Sequence, residues 1–140
     1  MNTLSITRLR LKHWWNVPAF IKLSSEAINQ AVQSEGLLSG EVIFELPKGF
    51  WTVTIWSDLR QMRQYIASGT HLNAMPQLAQ LCSEASVCHV PIDGQQLPEM
   101  SELVSILKAN AKFSHVTSPS KAHLQSELSP VRWPIRSRFK

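Results

Sequence analysis

The order of segments along the chain predicts an α+β fold in which helices cover one face of an antiparallel sheet of four strands. Three observations lead to this prediction. Some segments alternate apolar and polar residues or are rich in β-branched and aromatic residues, as strands are. Other segments repeat apolar residues three and four positions apart, as helices do. The 140 residues, 44% of them hydrophobic, supply one core but leave no room for two catalytic domains.

The first element is a strand at residues 3–12. Its residues alternate with a period of two, which places Thr7 and Leu9 on one face and Arg8 and Arg10 on the other. One face of this strand is therefore predicted to be polar.

A helix and a hairpin follow. Pro18 suits the first turn of a helix, and apolar residues then recur at spacings of three and four, which predicts a helix at 17–34 with Gly36 as its C-cap. Residues 37–46 alternate weakly between apolar and polar, and residues 50–57 are rich in aromatic and β-branched residues; a Pro-Lys-Gly turn separates them. They are predicted to form a β-hairpin.

The next two segments are predicted to be helical. Asp58, with Gln61 three residues later, is typical of a capping box and predicts a helix at 58–67. A second helix is predicted at 70–82, and Pro76 must kink it or begin its second part because proline has no N–H to donate.

A last strand at 84–92 completes the order β-α-β-β-α-β, which is the ferredoxin-like arrangement. We assign residues 1–96 to this domain and residues 97–140 to a C-terminal extension with a helix at 98–112 and a basic tail. Helices cover only one face of such a sheet, so the other face needs a cover, and a second copy of the chain is the simplest one.

The basic character of the chain belongs to its tail. Residues 1–111 contain eight Lys and Arg against nine Asp and Glu, whereas residues 112–140 contain six against one. The tail can bind nucleic acid or an anionic membrane surface, or it can be a solubilising tail or an arm that packs its aromatic rings on the dimer. Pro134 rules out a continuous amphipathic helix there, which favours the second pair and disfavours nucleic acid.

Several segments and motifs that the sequence lacks restrict the cellular compartment and the classes of enzyme to be expected. The first residues have no apolar run of the signal-peptide kind, and no stretch is apolar enough to span a bilayer, so we expect a cytoplasmic protein. Cys82 and Cys88 do not have metal or redox spacing and are expected to be reduced and buried. Gly-rich phosphate loops and the GxSxG motif are absent, which disfavours hydrolases, kinases and nicotinamide enzymes. HExxH and paired acidic motifs are also absent, and no metal site is predicted.

The run FWTVTIWSDLRQMRQYIASGTHLNAMPQLAQLCSEASVCHV, residues 50–90, resembles the antibiotic-biosynthesis-monooxygenase-like and spheroidene-monooxygenase-like branches of the dimeric α/β-barrel superfamily. Its marks are a strand that ends in Trp before a short helix with an acidic start, a Ser-Gly-x-His break, and a last strand closing near His. With TRLRLK and the first helix, the resemblance spans residues 4–90. It implies a homodimer whose two sheets close a barrel, with a pocket between the sheet and the helices of each subunit.

Members of this superfamily differ in chemistry. Several oxidise phenolic or polycyclic substrates with oxygen and without flavin or metal, others degrade haem, and some are not catalytic. The resemblance therefore implies a hydrophobic aromatic ligand, with either no cofactor or haem. Two functions stay open, a monooxygenase and a non-catalytic ligand-binding or scaffold protein.

Two residues are candidates for catalysis. His71 lies at the break before the second helical segment, where haem-degrading relatives often carry a histidine; it is a candidate base or haem ligand, with a helix-capping histidine as the alternative. Trp56 shares a strand face with Thr52 and Thr54, a mixture of ring and hydroxyls that suits a pocket wall, with a core or dimer-interface role as the alternative.

The remaining candidates are for ligand binding. Arg8 and Arg10 share a strand face that is expected to turn toward the dimer cavity and to meet either a ligand carboxylate or one of two nearby glutamates, Glu41 and Glu45. His89 is expected to point into the pocket or into the dimer seam. Trp14, with its neighbour Trp15, is expected to gate the pocket mouth or to cover the core. The other three histidines are expected to be ordinary surface residues: His13, His115 and His123.

Overall fold

The computed structural model describes the backbone of the whole chain and every side chain except those of residues 70 and 71. The predicted order of elements is confirmed. The first part contains β1 (Asn2–Leu11), α1 (Val17–Gln33), β2 (Leu37–Glu45), β3 (Gly49–Trp56), α2 (Leu59–Ile66), α3 (Gly69–Leu81) and β4 (Cys82–Ile92), with a short 3-10 helix at Trp14–Asn16. The extension contains α4 (Met100–Asn110), β5 (Lys112–Phe113), α5 (Lys121–Leu124) and β6 (Pro134–Arg138).

The six strands form one antiparallel sheet in the order β5-β4-β1-β3-β2-β6. The four inner strands, β4-β1-β3-β2, are those predicted from the sequence, and they form the ferredoxin-like core of the α+β fold. The edge strands β5 and β6, both in the extension, were not predicted.

Local sequence explains the helix ends with two corrections. The Asp58 side chain caps α2 by accepting a hydrogen bond from the backbone N–H of Arg60 at 2.6 Å. Gln61 does not complete a capping box, because its Oε1 accepts from the Ser57 hydroxyl instead, at 3.0 Å. The C-cap of α1 is Ser34, whereas Gly36 takes a φ of +91° in the turn toward β2, a conformation that favours glycine.

The sheet has two faces with different covers. We call the face toward α1, α2 and α3, which carries Thr7 and Thr52, the inner face, and the opposite one, which carries Arg8 and Trp51, the outer face. Helix α4 and the segment after it pack on the outer face and form a buried core with it. This core contains Leu4, Ile6, Ile43, Trp51, Val53, Ile55, Cys88, Leu103 and Leu107.

The outer face is therefore not bare, as the sequence led us to expect. The chain covers it with its own extension, and this removes the need for a second copy as a cover. The homodimer stays a prediction, now without that physical argument.

The extension crosses the whole sheet. β5 pairs with β4, and the imidazole of His123 in α5 holds the following segment against β4. Its Nε2 lies 2.8 Å from the carbonyl oxygen of Ser114, and its Nδ1 lies 3.5 Å from the backbone nitrogen of Ala85. The chain then passes over the outer face, where Leu128 and Val131 pack on the core, and β6 pairs with β2 at the other edge. The basic tail is thus part of the fold.

Both cysteines are free and buried, as predicted. Burial raises the pKa of Cys82 to about 12 and that of Cys88 to about 11, so neither thiol is a thiolate at neutral pH. Among the described residues, no helix is long and apolar enough to cross a membrane, and no group of three or more His, Cys, Asp and Glu is placed to hold a metal ion.

Candidate functional site

The inner face and the helices above it enclose a cavity of about 350 Å³. Strands β1, β3 and β4 form its floor, while α1 and α3 form its roof with side chains such as Phe20, Ile28 and Leu78. The volume and the apolar lining are those of a site for a small organic molecule.

Hydroxyl groups lie in the middle of the floor. The register of β1 and β3 places Ser5 opposite Thr54 and Thr7 opposite Thr52, and all four residues line the cavity. The Thr54 hydroxyl accepts a hydrogen bond from Trp56 Nε1 at 2.9 Å. The hydroxyls of Thr7 and Thr52 have no hydrogen-bond partner within the described part of the chain and are accessible from the cavity. They can bond a polar group of a ligand.

Two aromatic side chains, those of Trp56 and Tyr65, line the cavity side by side. Trp56 is 1% exposed, and its ring centroid lies 5.2 Å from that of Tyr65. The Tyr65 hydroxyl donates to the carbonyl oxygen of Ala27 at 2.9 Å, and burial raises the pKa of Tyr65 to about 12. Tyr65 therefore stays neutral, and Trp56, whose N–H already bonds Thr54, forms a wall rather than a free donor.

His89 lies at the β4 side of the floor, opposite Ser5, at an exposed position that lines the cavity. Partial burial lowers the pKa of His89, and the nearby charges of Lys112 and Arg63 lower it further. The imidazole is therefore neutral at pH 7 and able to accept a proton.

A second histidine, which we expected to be an ordinary surface residue, also lines the cavity. His115 follows β5, where the backbone N–H of Ser114 bonds the carbonyl oxygen of Ala85 on β4. Only the path of the extension along the β4 edge brings His115 to the cavity, and no spacing in the sequence signals that path.

Arg8 lies on the outer face, the face expected to turn toward a dimer cavity, but the chain's own extension covers that face. It is 8% exposed, and its Nε and Nη2 donate to the two carboxylate oxygens of Glu45, both at 2.9 Å. Its Nη1 donates to the carbonyl oxygen of Ser129, and its guanidinium lies 5.3 Å from the ring of Trp51. The salt bridge with Glu45 is the alternative that holds, and no ligand carboxylate is needed.

Arg10 shares that face and also does not line the cavity; its nearest carboxylate oxygen, of Glu84, is 3.9 Å away. The expectation for Trp14 needs a correction. It is 69% exposed and contacts Trp15 edge to face, because the short 3-10 helix turns both rings outward, so it neither gates the cavity nor covers the core. The side chain of His71 lies outside the described residues, and its role stays a prediction.

The haem alternative stays a prediction. The predicted axial ligand, His71, is not among the described side chains, and Arg8 is already paired with Glu45 on the outer face. Among the described residues, His89 and His115 are the histidines that line the cavity.

Comparisons with known proteins bear on the fold. No family model and no curated protein matches the chain. Among solved structures, SnoaB, a cofactor-independent oxygenase from Streptomyces nogalater, is 15% identical with a TM-score of 0.57, covering 70% of this chain and 98% of its own. A conserved Methanosarcina mazei protein is 20% identical with a TM-score of 0.59, covering 64% and 91%.

A third structure, a candidate antibiotic biosynthesis monooxygenase from Nitrosomonas europaea, is 11% identical with a TM-score of 0.60, covering 68% of this chain and 94% of its own. These structures are covered almost completely, whereas about a third of this chain lies beyond them. The resemblance seen in the sequence is thus confirmed at the level of fold: the chain has the ferredoxin-like α+β fold of the antibiotic-biosynthesis-monooxygenase-like proteins.

Proposed function

We propose that the chain binds a hydrophobic aromatic molecule in the inner-face cavity and oxidises it with molecular oxygen, without a cofactor. One observation carries the proposal. The cavity combines apolar walls with accessible hydroxyls at the centre of its floor and a neutral imidazole, that of His89, at its edge. A base, hydrogen-bond donors and a dry aromatic wall are what such a reaction needs.

Each group of cavity residues has its own role in the proposed reaction. A flat ring lies between the apolar roof and the floor, against the wall formed by Trp56. His89 removes a proton from a phenolic hydroxyl, and Thr7 and Thr52 donate hydrogen bonds to the resulting oxyanion. The electron-rich anion adds oxygen at a ring carbon, and the resulting peroxide takes the proton back from protonated His89. The O–O bond then breaks as the same ring carbon loses its hydrogen, which gives a quinone-type product and one molecule of water.

A non-catalytic ligand-binding protein of the same fold is the second candidate. It is favoured by the absence of any Asp, Glu, Lys or Arg among the described residues that line the cavity. It is also favoured by the exposed positions of His89 and His115, where water competes for the proton.

Oxygen uptake and ligand binding, measured separately with a hydroxynaphthalene, distinguish the two candidates. We expect uptake with the wild-type chain and a loss of tenfold or more in His89→Gln, which keeps a polar side chain but cannot take the proton. His13→Gln is the matched control, because His13 stacks on Trp15 outside the cavity. Binding without uptake would identify a binding protein, and no binding would reject both candidates.

The predicted catalytic residues enter the same assay. His71→Ala tests the base that sequence analysis favoured, and a loss there with none in His89→Gln would move the base to His71. Trp56→Phe tests the wall. Haemin gives a further check: no shift of its visible absorption band is expected, and a shift that His71→Ala abolishes would establish haem binding.

Self-association is measured directly by light scattering on the full chain. A mass of twice 15.8 kDa would establish the predicted homodimer. Because the extension covers the outer face, such a dimer must use another surface or displace the extension.

A further inference from the structure

We propose that Phe139, the next-to-last residue, is the end wall of the cavity and determines the size of the aromatic ligand that fits. Phe139 lines the cavity and packs against the cluster that contains Trp56 and Met62. The inference rests on the proposed binding function of the cavity, and it adds a specificity-determining residue supplied by the extension rather than by the β-α-β-β-α-β domain.

The position of Phe139 follows from one row of residues across the sheet. His89 lies opposite Ser5, Ser5 opposite Thr54, and Thr54 opposite Gly40. With neighbouring strands about 4.8 Å apart, this row is roughly 14 Å long. The ring of Phe139 lies over Gly40, so it closes the row at the end opposite to the candidate base.

Gly40 makes this position available. A Cβ atom at residue 40 would lie 2.4 Å from two ring carbons of Phe139, closer than real contacts allow. Any side chain at residue 40 would therefore displace the ring. A small residue is required here for close approach, since the backbone of Gly40 lies in an ordinary strand and does not have a positive φ.

The backbone and one ion pair hold the ring in place. The N–H of Gly40 bonds the carbonyl oxygen of Lys140 at 3.0 Å, and the N–H of Phe139 bonds the carbonyl oxygen of Gly40 at 3.0 Å. Next to them, Arg136 of β6 pairs with both carboxylate oxygens of Glu41, which is 2% exposed. The end wall is thus fastened to β2 by groups that do not line the cavity.

The size of the cavity can therefore change without any change to its floor or roof. Removal of the Phe139 ring extends the cavity past Thr54 toward β2, whereas the hydroxyls and His89 stay where they are. Ligands of different length are expected to respond oppositely to such a change.

Two variants and two fluorescent probes test the proposal. Phe139→Ala removes the ring, and Gly40→Ala displaces it while leaving Phe139 in the chain. Trp133→Ala is the control, because Trp133 is an aromatic residue of the same tail that is 80% exposed. Each protein is titrated with 1-naphthol, which has two fused rings, and with 1-hydroxypyrene, which has four.

The expected result is a ratio of affinities that changes by about tenfold or more in favour of 1-hydroxypyrene in both variants and not in Trp133→Ala. If the wild-type chain binds 1-naphthol but the ratio is the same in all four proteins, Phe139 is not the end wall and the binding function stands. If neither probe binds any of the proteins, the end wall and the proposed binding function are both overturned.

Discussion

The two faces of one sheet are used in opposite ways. On the outer face, α4 and the extension pack onto Leu4, Ile6 and Trp51, and the ionic groups there are paired. On the inner face, the same strands and three helices enclose about 350 Å³ and leave hydroxyls accessible. Successive residues of a strand point to opposite faces, so one sheet can have a closely packed core on one side and a binding cavity on the other.

This difference between the faces indicates that the outer face mainly contributes stability and the inner face mainly contributes ligand binding. Buried charges are tolerated on the outer face because each has a partner: Glu45 accepts from Arg8, from Trp51 Nε1 and from the backbone N–H of Arg132. Among the described residues that line the inner-face cavity there is no ion pair, and the hydroxyls of Thr7 and Thr52 are left for a ligand. Substitutions on the outer face should therefore reduce stability, and those on the inner face should change binding.

The largest effect is expected for Arg8→Met. It leaves Glu45, which is 7% exposed, without its guanidinium, and breaking a buried pair in this way costs about 3–5 kcal/mol of unfolding free energy. Arg10→Met is the matched control, because Arg10 lies two residues along on the same face, is 36% exposed and should cost less than about 1 kcal/mol. Urea unfolding of both variants gives the comparison, and equal losses would mean that the Arg8–Glu45 pair is not buried in solution.

The next largest loss of unfolding free energy is expected for a leucine of the outer face, and a leucine of the inner face provides the comparison. Leu107 of α4 is fully buried on the outer face, and Leu107→Ala should cost about 2–5 kcal/mol. Leu78 of α3 lines the cavity and is only half-buried, so Leu78→Ala should cost about 1–2 kcal/mol and should also change probe affinity. A negligible effect of Leu107→Ala would show that α4 does not cover the outer face in solution.

A smaller and more local effect is expected at β6. Arg136→Met leaves Glu41 buried without its ion-pair partner, which should cost about 1–3 kcal/mol and detach the end of the chain before the rest unfolds. Hydrogen exchange should then speed up at residues 134–140 and at Gly40, while α4 stays protected. In the control, Arg138→Met, only a bond to the Lys140 carbonyl is lost, and exchange should stay as in the wild-type chain.

Sequence reasoning predicted the inner four strands and the first three helices because their signals are local. Period-two alternation placed Arg8 and Arg10 together on the face opposite to Thr7 and Leu9, as the structure has them. A period does not say what covers a face, and this is why Arg8 was expected to meet a ligand carboxylate or a glutamate in a dimer cavity and not beneath the chain's own extension. Thr52, Thr54, Trp56 and His89 line the cavity because they share the face that α1 and α3 cover.

Several of the missed features depend on the extension. A Ser- and Pro-rich basic segment has the composition of a solvated tail, and only its contacts show that it crosses the outer face and ends over Gly40. His115 and Phe139 reach the cavity through that path, which no local pattern encodes. Trp14 was misassigned because two adjacent tryptophans carry no periodicity that separates a buried from an exposed position.

The smallest expected effect is on the pH dependence set by His89, at the β4 side of the inner face. If His89 is the base, it must be neutral to act, and since its pKa is lowered in the folded chain, the acid limb of kcat/KM lies below about 6.5, the ordinary value for histidine. Lys112 is one of the charges that lower it, so Lys112→Met should move the limb to higher pH, whereas Lys108→Met on α4 should leave it in place.

The lowered pKa of His89 also determines how the stability of the chain changes with pH. The unfolded chain binds a proton at His89 more readily than the folded chain, so unfolding free energy should be constant above about pH 6.5 and should fall as the pH drops from there toward the folded pKa. His89→Gln should remove this part of the pH dependence together with the acid limb of the rate. If the limb survives in His89→Gln, the proton is taken by another group of the inner face, and the pH dependence of His71→Ala and His115→Gln would then identify it.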